Sequence, residues 1–102
     1  MPAIAEPEYV FDEQKKKLYA DLSSEAKTRL DRIESDIRTA SQRCDISAVI
    51  YGSANFMNTL DSLLRTELRR KPAAAVTVLN VQDALMDVIE DLLNKSCRCA
   101  LY

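Results

Sequence analysis

The sequence predicts an all-α fold: a bundle of three to four helices, completed by homodimerisation. Three observations carry this. Apolar residues recur at steps of three and four along most of the chain, the spacing that gathers them on one side of a helix. The 102 residues include one glycine and three prolines, too few turn formers for a sandwich or barrel of short strands. Hydrophobic residues make up 47% of the chain, which sets it apart from disordered sequences. The length fits one helical domain over 1–102, with 1–7 a frayed N-terminus and 97–102 a C-terminal tail.

The first pattern runs from Glu8 to Ala20, where Tyr9, Val10, Phe11, Leu18 and Tyr19 surround Lys15, Lys16 and Lys17. Three lysines late in a helix complement the negative end of its dipole. The second pattern is the clearest. Ser23 or Asp21 caps a helix over 24–44 with Glu25 in its first turn. Ala26, Leu30, Ile33, Ile37, Ala40 and Cys44 follow at alternating steps of 4 and 3, the spacing of a narrow helix–helix seam.

A third helix is expected over 46–70. Ile46, Ile50, Met57, Leu60 and Leu64 form one stripe, and Val49, Phe56 and Leu63 a second beside it, so this helix should be central. Gly52, Ser53 and Ala54 would let another backbone approach closely. We therefore expect this helix to pack on its own copy, with Gly52, Ala54, Met57, Leu60 and Leu64 in the dimer interface. Arg65, Arg69, Arg70 and Lys71 load its end, and Pro72 marks the stop. Residues 73–79 are short and apolar, either helical turns begun at Pro72 or a buried extended segment. Asn80 then reads as the N-cap of a helix over 81–95, with Val81, Leu85, Val88 and Leu92 on its apolar side.

The composition excludes several chemistries. With no histidine, the chain holds no Ser-His or Cys-His pair and no His-ligated metal. One glycine cannot build a phosphate-cradling loop. No catalytic residues, metal or cofactor are therefore expected. No stretch reaches the ~20 apolar residues of a membrane span, and the acidic start is no signal peptide. An odd cysteine count suits no disulfide scaffold, so a soluble, intracellular protein with reduced thiols is expected, Cys44 serving as a small apolar seam residue. Cys97-x-Cys99 lacks the usual spacing and number of zinc ligands. The ending Cys99-Ala100-Leu101-Tyr102 resembles a prenylation box, although Tyr is not a usual last residue of that signal.

Charge is unevenly distributed. Residues 1–14 hold four acids and no base, whereas 15–71 hold twelve Lys and Arg against eight acids. Lys27, Arg32, Arg38, Arg43, Arg65, Arg69, Arg70 and Lys71 could line a basic strip suited to a duplex backbone. Pairs such as Glu34–Arg38 and Glu25–Arg29 at i,i+4 would account for part of this charge as ordinary surface stabilisation.

Two short matches to known families fall in these regions. Arg29-Leu30-x-Arg32-Ile33-Glu34-x-x-Ile37-Arg38, followed by Ile46-Ser47-Ala48-Val49, resembles pieces of the small all-helical metal- and formaldehyde-responsive repressors. It covers about a seventh of the chain, has no histidine ligand, and carries Ser35-Asp36 where that family has Gly-Gln. Thr66-x-Leu68-x-x-Lys71-Pro72, with residues 73–79, is similar to the helix junction of nodavirus double-stranded-RNA-binding silencing suppressors. Both resemblances imply a dimeric helical nucleic-acid binder. The residues themselves point first to a non-enzymatic, homodimeric interaction protein that binds a protein partner. The alternative is a homodimer that holds duplex RNA or DNA on the basic strip.

Overall fold

The computed structural model describes residues 6–96, which form four helices in chain order: α1 (Pro7–Tyr19), α2 (Ser24–Gln42), α3 (Ile46–Arg65) and α4 (Ala74–Ser96). The all-helical expectation holds. Each helix runs antiparallel to the next, as the cross-helix pairs Glu8–Arg38, Ile37–Gly52 and Gln82–Asp61 show. Packing is closest between α1 and α4 and between α2 and α3.

Local chemistry fixes the boundaries. Pro7 opens α1, where its missing N–H costs nothing. Ser23 caps α2, its hydroxyl accepting from the Ala26 N–H, and Asp45 caps α3 by accepting from the Ala48 N–H. The α2 stripe is buried from Ala26 to Ala40 as its spacing predicts. The helix stops at Gln42, however, two residues short of the expected end. Cys44 adopts φ 54°, and the Asp45 N–H reaches back to the Ala40 carbonyl at 3.0 Å, closing a Schellman turn. Cys44 is also disulfide-bonded, so its reading as a reduced apolar seam residue is corrected. Cys97 and Cys99, together with the terminal prenylation-like tetrapeptide, lie outside the described residues.

Two further boundaries differ from expectation. α3 ends at Arg65, not Arg70, and the Leu68 N–H turns back to the Leu63 carbonyl at 2.9 Å. In a continued helix Leu68 would lie five turns above Ile50, on the line of a residue that is 63% exposed. Breaking the helix instead buries Leu68. Residues 74–79 of the expected 73–79 segment belong to α4 rather than preceding it. Ala74, Val78, Val81, Leu85 and Val88 form one buried stripe that runs past Asn80, which is an exposed mid-helix residue and not a cap.

The core gathers residues from all four helices around Phe11 of α1 and Phe56 of α3, whose ring centroids are 6.3 Å apart. Leu18, Leu30, Ile37, Leu60 and Leu85 are fully buried around them. Burial of each such side chain contributes about 1.5–3 kcal/mol of transfer free energy. Gly52 faces this interior: a Cβ built there would stand 2.7 Å from Ile37 Cγ1. The close approach that glycine permits is therefore made between α2 and α3 of one chain. Among the described residues, no helix is long and apolar enough to cross a membrane.

Candidate binding surfaces

Basic side chains fall into two groups according to their partners. Arg38 is fully engaged. Its Nη1 and Nη2 donate to both oxygens of Glu8 at 2.8 Å, and its Nε donates to Glu34 at 2.9 Å. Glu34 also accepts from Lys15 Nζ at 2.7 Å, and that ammonium lies 4.7 Å from the centre of the Phe11 ring. This network staples α1 to α2. The bidentate Arg38 guanidinium holds the Glu8 carboxyl below its usual range, and the two carboxylates push Arg38 up in return. Beside it, the Tyr19 hydroxyl donates to Asp31 at 2.7 Å, and burial together with that carboxylate raises the phenol's pKa. Arg38, expected to contact nucleic acid, is thus paired with two carboxylates of the fold.

Lys71 also has a partner, Asp21 at 3.3 Å. In contrast, Lys27, Arg32, Arg43, Arg65, Arg69 and Arg70 make no ion pair with any described residue. They do not form one continuous strip. Lys27 borders a groove between α1 and α2 with Tyr9, Lys16 and Tyr19. Arg43 follows the last residue of α2, at the opposite end of the molecule from Arg65. Arg32 lies with Arg29 in an open groove between α2 and α3, whose far wall is Asn55 and Thr59. Glu25 and Asp36 share this groove, and Glu25 lies 4.0 Å from Arg29.

The remaining cations cluster where α3 stops. Arg65, Arg69 and Arg70 are all exposed. Helical spacing extends this cluster along the outside of α3, because Asn55, Asn58, Ser62 and Arg65 follow one another at steps of 3 and 4, and all are exposed. Tyr51, 77% exposed, begins the same line. This line of α3 is thus a run of uncharged hydrogen-bonding groups that ends at Arg65, with Asp61 exposed beside it and Glu25 and Asp36 across the groove on α2. Sequence reasoning missed Tyr51, Asn55, Asn58 and Ser62. Polar residues on a helix are ordinarily solvated and stand out only once the helix's buried side is known. Exposed acids occur on α4, at Asp83, Asp87 and Glu90, and also on and beside α2 and α3, at Glu25, Asp36, Asp61 and Glu67.

Residues assigned to a dimer interface are divided by the fold. Leu60 is fully buried and Gly52 faces Ile37, both within one chain. Met57 and Leu64 are partly buried against the same core, and Ala54 is exposed. Large apolar side chains are exposed at other positions, at Tyr9 and Val10 on α1, Ile46, Ile50 and Tyr51 on α3 and Val76, Leu79 and Met86 on α4. No group of three or more metal-ligating side chains occurs among the described residues.

Comparison with protein-family models, curated proteins and solved structures finds no match to this chain.

Proposed function

We propose that this chain is a non-enzymatic helical binding protein that holds the phosphate backbone of a nucleic-acid duplex against the outer side of α2 and α3. One observation carries the reading. Arg32, Arg65, Arg69 and Arg70 pair with no carboxylate among the described residues, while Arg38 and Lys15 are tied into the fold. Neutral donors between the arginines, Asn55, Asn58 and Ser62, suit phosphate and sugar oxygens and carry no repelling charge. Recognition of this kind reads shape and backbone, and its affinity falls steeply with salt because counterions are released.

The test is a mobility shift of a labelled duplex of about two helical turns, in RNA and DNA forms, at two salt concentrations. Binding should weaken by at least tenfold at the higher salt, and the double variant Arg65→Glu, Arg69→Glu should abolish it. No shift at low salt, or one unchanged by that variant, overturns the reading.

A second reading, binding of a protein partner or of a second copy of the chain, is favoured by Val76, Leu79 and Met86. These lie on one side of α4, and each is more than half exposed. Here Leu79→Asp should eliminate self-association seen by sedimentation, or capture of a defined partner, without altering helicity.

A further inference from the structure

Among the described residues, the fold takes three cations partly out of water: Lys15, Lys27 and Arg38. Lys15 and Arg38 each meet two carboxylates. Lys27 meets none among the described residues. The acid one turn further along α2, Asp31, accepts instead from the Tyr19 hydroxyl at 2.7 Å. An ammonium held partly out of water without a counter-charge is costly, and an anion from outside would relieve that cost.

Lys27 stands at an open groove of about 570 Å³ between α1 and α2, a size that suits a small molecule. Tyr9, 61% exposed, and Tyr19 supply aromatic rings to its lining. The groove's other charges are spent on one another or on the fold. Lys15 reaches Asp12 at 3.8 Å and Glu34 at 2.7 Å, and Lys16 reaches Glu13 at 3.3 Å. One positive charge is left over, and it belongs to Lys27.

We propose that this groove binds a small aromatic monocarboxylate, its carboxylate on the Lys27 ammonium and its ring against Tyr9 and Tyr19. The ammonium donates a charge-assisted hydrogen bond to the carboxylate, and the ring packs edge-on or offset on the tyrosines. A second negative charge on the ligand would face Asp12 and Glu13, so phosphates and dicarboxylates fit poorly. The site uses none of the arginines assigned to duplex binding and does not depend on that reading.

The test follows amide chemical shifts of the isotope-labelled full chain as phenylacetate is added. Uncharged phenylacetamide and the dianion phenylmalonate serve as comparators. Saturable shifts should centre on Tyr9, Tyr19 and Lys27, with a Kd of roughly 1 mM for so small a ligand. Each comparator should bind about tenfold more weakly, one lacking the charge and the other carrying one too many. Lys27→Gln should weaken phenylacetate by about tenfold, whereas the Arg65→Glu, Arg69→Glu variant should bind it like the parent. The comparators read the charge on the parent chain, so the result does not hang on a variant folding. Several outcomes would each overturn the proposal: no saturable shift at a concentration roughly tenfold above that Kd, shifts centred elsewhere, or equal affinity for phenylacetate and its amide. So would tighter binding of phenylmalonate, unchanged affinity in a folded Lys27→Gln chain, or affinity lost in the double-arginine variant.

Discussion

Gly52 of α3 lies against Ile37 of α2 so closely that a single added carbon would be 2.7 Å from Ile37 Cγ1. Ile37 is 1% exposed and Cγ1 is near its backbone, so the side chain has little room to yield. Gly52→Ala should gain about 1 kcal/mol of helix propensity and lose about 1–3 kcal/mol to overpacking, a net destabilisation of about 1 kcal/mol. Urea unfolding should also show the cost shrinking when Ile37→Ala is combined with it, because the two changes share one space.

Glu34 is the shared acceptor of Lys15 and Arg38, and both its carboxylate and the Lys15 side chain are mostly buried. Glu34→Ala should destabilise the chain by about 1–3 kcal/mol, since it leaves the mostly buried Lys15 with the more distant Asp12, 3.8 Å away, in place of its close partner. A Lys15→Met, Glu34→Leu double variant should recover most of that loss in thermal unfolding.

Glu8 sets an acid limit. Its carboxyl is held down by Arg38, so in the acid range the folded chain binds fewer protons at this group than the unfolded chain. The contribution is present above the unfolded-state value, about 4.3, and is lost as pH falls through the lower folded value. Glu8→Gln should be less stable than the parent at neutral pH, with the difference closing in strong acid. A gap that stays constant on acidification would contradict this.

Tyr19 gives the opposite dependence. Burial and the Asp31 carboxylate raise its pKa, so its contribution is complete below the ordinary tyrosine value, about 10, and is lost as pH rises through the folded value. Ultraviolet titration of Tyr19→Phe should lack the most alkaline part of the parent's phenolate signal.

Cys44→Gly, compared with the parent under reducing conditions, should raise stability by roughly 0.5–1 kcal/mol, because glycine takes φ 54° without a Cβ penalty. Cys44→Ala should show no such gain.

The parts of the fold legible in the sequence are those where one signal acts alone. The 4-3-4-3 spacing from Ala26 to Ala40 has no competitor, and those residues are buried. At Asn80 two signals conflicted: a capping residue type suggested a start, while the stripe from Ala74 to Val88 ran straight through it and prevailed. At the end of α3 the arginines and Pro72 mark where a helix must stop, whereas burial of Leu68 decides that it stops sooner, at Arg65. The partners of Arg38 lie in part thirty residues away, at Glu8, so spacing could suggest only Glu34. The exposed line of α3 was illegible for the same reason, since neutral polar residues acquire meaning from their neighbours in space.

Glu67 receives both the main-chain N–H and the hydroxyl of Ser23 at 2.8 Å, and that same hydroxyl accepts from Ala26. The carboxylate thereby orients the group that opens α2, from a position forty-four residues downstream. During synthesis, the second helix must wait for the ribosome to deliver Glu67 before its entrance is fully secured. A fragment ending at residue 66 should therefore fray at Ser24 first, and hydrogen exchange along α2 would record the order in which the two halves of the chain come to depend on each other.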